Sequence, residues 1–213
     1  EVFPPNLGGN VFGWPADEST SFAILDSFVA ASGNFIDTAD GYSRWVPGHV
    51  GGESETIMGH WIKRRGRRDD LVIATKVGKK PDLLGLAPDT IRQACDGSLT
   101  RLNLDYIDLY YCHADDADVP LEDTLGAMAD LVAAGKVRYI AASNYTVDRM
   151  AEALAVSDAH GWPRFVALQP HYNLVVRDEY EGPLQSLCAE QDISCLPYYA
   201  LASGFLTGKY RNP

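Results

Sequence analysis

Leu71-Val72-Ile73-Ala74-Thr75-Lys76 is a short apolar run, rich in β-branched residues, that stops on a lysine. It is too short for an ordinary helix, and it reads as a strand covered on both faces with one charge at its C-terminal end. The same pattern recurs along the chain. Upstream, residues 34–37 (NFID) end on a carboxylate; downstream, 106–111 (YIDLYY) lead to His113, 137–142 (VRYIAA) to Ser143-Asn144, 165–169 (FVALQ) end on an amide, and 193–197 (ISCLP) lead to Tyr198. With an opening strand near residues 7–11, seven strands are expected. Between them lie amphipathic stretches at 19–32, 54–65, 88–102, 121–134, 146–157 and 180–191, which read as helices. Gly33 and Gly135 stand as helix stops, and Pro88 stands where a first helical residue belongs.

Strand and helix alternate, so the fold class is α/β with a parallel sheet covered by helices. An open doubly wound sheet would place a phosphate loop of the form G-x-G-x-x-G after its first strand, and none occurs here. The polar residues stand instead at the C-terminal ends of many strands. In a closed (β/α)8 TIM barrel those ends form one rim around one pocket, where residues far apart in sequence converge. The expectation is a single (β/α)8-type catalytic domain over residues 1–213. A complete barrel has eight strands in roughly 250 residues. Only seven are read here, so the chain is expected to end before the eighth strand and the natural protein to continue past Pro213.

The 213 residues are 46% hydrophobic and 22% charged, a globular composition that excludes disorder and coiled coil. A net charge of −11 repels phosphate backbones, which argues against nucleic acid as a partner. No apolar run approaches the ~18 residues of a membrane helix, so no membrane partner is expected. Cys95, Cys112, Cys188 and Cys195 form no C-x-x-C pair and are expected to be reduced, with a cytoplasmic location. The opening EVFPPNLGG has no initiator Met and no signal-like stretch, and reads as a trimmed N-terminus. Oligomeric state stays open.

Each rim residue has two readings. Val72, Ala74 and Lys76 share one face by the strand period, so Lys76 either points into the barrel, where it needs a counter-charge, or has already reached solvent. Asp37 is either part of the turn before Asp40-Gly41 or the carboxylate that holds Lys76. An ammonium beside Tyr42 would favour its phenolate and lower its pKa. His113 is either structural or a pocket residue. Its spacing to the other histidines shows no metal pattern, and Cys112 before it should face the helices. Ser143, Asn144 and Gln169 are either helix caps or a donor and acceptor set suited to a ligand amide.

Asp37-Thr38-Ala39-Asp40-Gly41-Tyr42, Ala74-Thr75-Lys76, the run from Leu104 to His113, Gly135-Lys136-Val137-Arg138-Tyr139 leading to Ser143-Asn144, and the run from Leu201 to Tyr210 together resemble the aldo-keto reductase superfamily, in order, over nearly the whole chain. The resemblance implies a barrel enzyme that reduces an aldehyde or ketone, a small-molecule carbonyl substrate, with NADPH. It implies a catalytic tetrad of Asp37, Tyr42, Lys76 and His113, with Tyr42 as proton donor. Ser143, Asn144 and Gln169 match the family's contacts to the cofactor carboxamide, and Tyr198 matches the aromatic stacked on the nicotinamide. Tyr199, Ala200, Leu201, Ala202, Ser203 and Lys209 match its pyrophosphate loop, while Gly9 and Asn10 lie where the first strand's loop meets the cofactor. The stretch Ala114-Asp115-Asp116 and the pair Tyr199-Ala200 depart from the commoner family pattern. Two other functions fit parts of this pattern. One is a slow-turnover NADPH-binding regulatory subunit of the same fold, resembling potassium-channel β-subunits. The other is an aldolase that uses Lys76 as a Schiff base.

Overall fold

The computed structural model describes residue 2 and residues 4–210. In chain order the elements are β1 (Leu7–Gly8), α1 (Glu18–Ala30), β2 (Phe35–Asp37), α2 (Glu53–Arg65), β3 (Val72–Val77), β4 (Lys79–Lys80), β5 (Leu83–Leu84), α3 (Pro88–Leu102), β6 (Ile107–Cys112), α4 (Leu121–Ala133), β7 (Val137–Ser143), α5 (Val147–His160), β8 (Phe165–Gln169), α6 (Pro183–Glu190), β9 (Ser194–Cys195) and a 3-10 turn over Ala202–Thr207. Seven strands pair in parallel in the order β1-β2-β3-β6-β7-β8-β9, and every step is joined through a helix, the step from β3 to β6 also carrying the β4–β5 hairpin.

The helix boundaries follow from local chemistry. Asp17 caps α1 by accepting from Thr20 N at 2.8 Å, Thr146 caps α5 by accepting from Arg149 N at 3.3 Å, and Pro88 opens α3. In α2, Glu53 and Glu55 occupy the first turn and Lys63 to Arg65 the last, each matched to the helix dipole.

Alternation along each strand sorts side chains into an inner and an outer layer. Phe35, Ala74, Leu109, Tyr111, Ala141 and Ala167 fill the barrel interior, with Val72 and Leu196 beside them. Their neighbours face the helices: Ile36, Ile73, Met58 and Trp61 form one outer core, while Tyr110, Cys112, Ile140, Leu125 and Met128 belong to another. Complete burial of a residue such as Ile73 contributes roughly 1.5–3 kcal/mol, so the outer layers supply much of the folding free energy. At the base, Asp108 on β6 accepts from Arg68, from Arg138 at 3.0 Å and from Ile73 N at 3.0 Å, tying three neighbouring strands together.

The sheet is curled. In sheet order β2 and β8 are separated by β3, β6 and β7, roughly 19 Å if flat. Yet Gln169 on β8 donates to Asp37 on β2 at 3.0 Å, which only a curved sheet allows. The result is a partial (β/α)8 barrel, as the alternating pattern predicts.

Some boundaries differ from expectation. The strand read at 7–11 is confined to Leu7–Gly8, because the chain turns at once with Phe12 N donating to Gly9 O at 3.1 Å. The strand read at 193–197 is Ser194–Cys195. The antiparallel hairpin β4–β5 is not read from the sequence at all. After α1 it is Ser32, with φ 69°, that turns left-handed; Gly33 is needed because a Cβ there would lie 2.4 Å from the Phe28 ring.

Candidate active site

The inner face of β3 ends on Lys76, which is fully buried, so of its two readings the inward one holds. A buried ammonium needs partners for three N–H groups, and Lys76 has three. It donates to the Asp37 carboxylate, to Thr38 O at 2.7 Å and to Tyr42 Oη at 3.0 Å. Burial works against its charge, but Asp37 and Tyr42 outweigh that penalty and leave its pKa above the ordinary lysine value. Asp37 shares its two oxygens between Lys76 and Gln169.

Because Tyr42 Oη accepts from Lys76, its own hydroxyl hydrogen is directed elsewhere. Burial raises the phenol pKa and the Asp37 charge adds to the rise, while Lys76 pulls it down. The net direction is upward, opposite to the sequence expectation, because desolvation outweighs the ammonium. The His113 ring meets Tyr42 edge-on, with centroids 5.9 Å apart. Its pKa is held well below the ordinary histidine value by burial first, then by Lys76, Lys79 and Arg44. The imidazole is therefore neutral, with one N–H to donate, and its buried Nδ1 has no hydrogen-bond partner.

The amide and hydroxyl set lies on the same rim. Ser143 Oγ donates to Gln169 O at 2.9 Å, Asn144 Nδ2 donates to Ser143 Oγ at 2.9 Å and to His113 O at 2.9 Å, and Tyr198 Oη donates to Asn144 Oδ1 at 2.8 Å. None of these caps α5; Thr146 does. Tyr198 stacks on His171 with centroids 5.2 Å apart. Gly9 N donates to Asp37 O at 2.7 Å, so the first loop adjoins Asp37, and Asn10 follows it half-buried without a hydrogen bond to the site. Tyr199, Ala200 and Leu201 are exposed on the loop after β9. In that loop Tyr199, Ala202 and Ser203 take positive φ values of 56°, 48° and 53°. Gly204 follows at 96°, and a Cβ on it would sit 3.0 Å from Lys209 Nζ. Among the described residues there is no cluster able to hold a metal ion.

Sequence reading missed the surroundings of Tyr42. Arg44 Nη1 donates to Gly41 O at 3.2 Å, and Trp45 lies 6.2 Å from the Tyr42 ring and 5.6 Å from Trp14. Lys79 reaches the same corner from the unforeseen hairpin. The only hint was Gly78 ahead of two lysines, a turn signal without a direction. Asp40, read as a turn residue, is fully buried near Glu55 and Arg101.

Residues 6–213 match the Aldo/keto reductase family. The chain belongs to that family. It is 37% identical over 205 residues to aldo-keto reductase str7 of Strobilurus tenacellus, covering 95% of this chain and 56% of that protein. It is 34% identical to a probable voltage-gated potassium channel subunit beta of Oryza sativa subsp. japonica, covering 93% and 60%. It is 35% identical to aldo-keto reductase yakc [NADP(+)] of Schizosaccharomyces pombe, covering 93% and 57%. The chain thus spans a little over half the length of these aldo/keto reductase relatives.

Proposed function

We propose that residues 1–213 form a catalytic domain that reduces an aldehyde or ketone to an alcohol with NADPH, Tyr42 giving the proton. The observation that carries this reading is the triple hydrogen bond of Lys76. It fixes the ammonium against Tyr42 Oη and frees the phenolic hydrogen for a ligand, next to a neutral imidazole.

The residues present suit a nicotinamide dinucleotide. Ser143, Asn144 and Gln169 offer both donors and acceptors to a carboxamide, and Tyr198 offers an aromatic face. The loop at 202–204 turns sharply through successive positive φ values, and the Lys209 ammonium lies against Gly204, where it offers a cation to a phosphate. These residues would hold the carboxamide and the pyrophosphate. The cofactor, when bound, supplies a hydride to the carbonyl carbon.

Tyr42 and His113 then both donate to the carbonyl oxygen, where charge develops only in the transition state. Each such donor stabilises that state by about 3 kcal/mol. The phenolic proton passes to the oxygen, the alcohol forms, and Lys76 stabilises the phenolate left behind. Asp37 keeps Lys76 charged throughout. The same pairing opposes the Schiff-base reading, since a protonated amine with all three N–H groups engaged is no nucleophile. Four free cysteines, three of them buried, accord with a cytoplasmic setting.

Tyr42→Phe tests the reading. The expected result is a loss of about 10²–10⁴-fold in carbonyl reduction with NADPH; near wild-type turnover would overturn it. The relative named as a channel subunit supports a second reading, a slow-turnover regulatory subunit. Tight NADPH binding with negligible turnover across aldehydes, ketones and sugars would favour it.

A further inference from the structure

The corner around Tyr42 holds positive charge that the tetrad does not use. This chain has 29 acidic and 18 basic residues, and among the described residues thirteen lysines and arginines are matched to a carboxylate. Among the described residues, the lysines and arginines without an ion pair are Arg44, Lys63, Lys79 and Lys209. Lys63 is exposed on α2, and Lys209 belongs to the C-terminal loop. Arg44 and Lys79 both flank Tyr42. A methyl group built on Gly41 would lie 2.7 Å from Lys79 O and 3.2 Å from Arg44 Nη1, so the two segments meet beside the proton donor.

Strand alternation separates the two hairpin lysines. Lys80 is buried and turns to Asp82, while Lys79 is directed the other way and stays half-buried without a counter-ion. Burial, Arg44 and Lys76 together pull its pKa below the ordinary lysine value. A cation held there near two others is costly, and a bound anion would offset that cost. The pyrophosphate is already assigned above to the loop after β9 with Lys209, which leaves Arg44 and Lys79 to another anion.

The same corner carries bare aromatic surface. Trp14 is 55% exposed and Trp45 43%, their rings meeting at 82°. Two large side chains left open beside a reactive hydroxyl suit an aromatic ligand.

We propose that the substrate is an aromatic carbonyl compound bearing an acidic group, with its ring against Trp45 and Trp14, its anion on Arg44 and Lys79, and its carbonyl oxygen at Tyr42 and His113. This rests on the reductase reading and narrows it.

The test compares 4-formylbenzoate with its neutral methyl ester, both with NADPH. The acid should be favoured in kcat/KM by about tenfold at low ionic strength, the scale of one charge-assisted hydrogen bond. The preference should shrink in about 0.5 M salt and vanish in the double variant Arg44→Gln, Lys79→Met. Equal use of the two aldehydes, or a preference that survives in the double variant, overturns the proposal. A second arm needs no turnover: quenching of tryptophan fluorescence by 4-(hydroxymethyl)benzoate against its methyl ester. If neither aldehyde is reduced, the reductase reading fails and this arm alone decides. Salt-sensitive binding of the acid, lost in the double variant, supports the anion site; equal binding of acid and ester removes it.

Discussion

Gln169 Nε2 donates to Asp37 Oδ2 at 3.0 Å across the barrel mouth, joining residues that stand 132 positions apart in the chain. One carboxylate thereby serves two tasks. Its other oxygen holds Lys76, so the bond that closes the curled sheet also orients the charge beneath Tyr42.

Gln169→Leu removes that donor and leaves one buried carboxylate oxygen unsatisfied. A loss of about 1–3 kcal/mol in unfolding free energy is expected, read by urea denaturation, with a fall in kcat as Asp37 and Lys76 lose their fixed geometry. A denaturation midpoint equal to wild type would show that the bond contributes nothing.

The pH profile of reduction follows from two pKa directions. As the proposed proton donor, Tyr42 must carry its proton, and its pKa lies above the ordinary tyrosine value, so activity should hold until above about pH 10. His113 is already neutral through the physiological range, so no acid limb from it should occur near pH 6.5. Lys76→Met keeps a similar volume but removes the one neighbour that pulls the phenol down. Its alkaline limb should move higher, and kcat should drop by about 10²-fold or more as the phenolate loses its cation. An alkaline limb that stays put in Lys76→Met disproves the coupling.

The rim was legible because its members end apolar strands. Asp37, Lys76, His113, Ser143 and Gln169 each stand near the C-terminal end of a hydrophobic run, and strand alternation puts Lys76 on the face of Val72 and Ala74 and Cys112 on the face opposite to His113, while the structure decides that the Lys76 face is the inner one. Helix α3 coincides with the stretch expected at 88–102, since Pro88 marks its start and an apolar face fixes its extent. Arg44 and Lys79 were illegible for a different reason. Both lie where the chain changes direction, Lys79 directly after Gly78 with φ 113°, and no periodicity says which way such side chains turn. The sign of the Tyr42 shift was misjudged because sequence supplies the neighbouring charge but not the depth of burial.

Asp40 shows the same limit and yields the last prediction. Its carboxyl is fully buried, and neither oxygen makes a full hydrogen bond; the Gly78 and Gly41 amides give it only weak support. Burial and then the Glu55 charge push its pKa up to about 7, with Arg101 opposing them. Glu55 itself is engaged, accepting from Thr75 Oγ1 at 2.6 Å and from Arg101 Nε at 2.7 Å. In the unfolded chain Asp40 titrates near 3.8, so between about pH 4 and pH 7 the folded protein binds a proton that the unfolded chain does not. Stability from this group is therefore complete below about pH 4 and is lost as pH rises toward 7, by about 4 kcal/mol at most. Asp40→Asn stays uncharged at every pH and removes the dependence. The difference in unfolding free energy between wild type and Asp40→Asn, measured by urea denaturation across this range, should shift steadily against wild type and level off above pH 7. A constant difference would mean that Asp40 is ionised in the fold throughout, with Arg101 or the amides holding its charge.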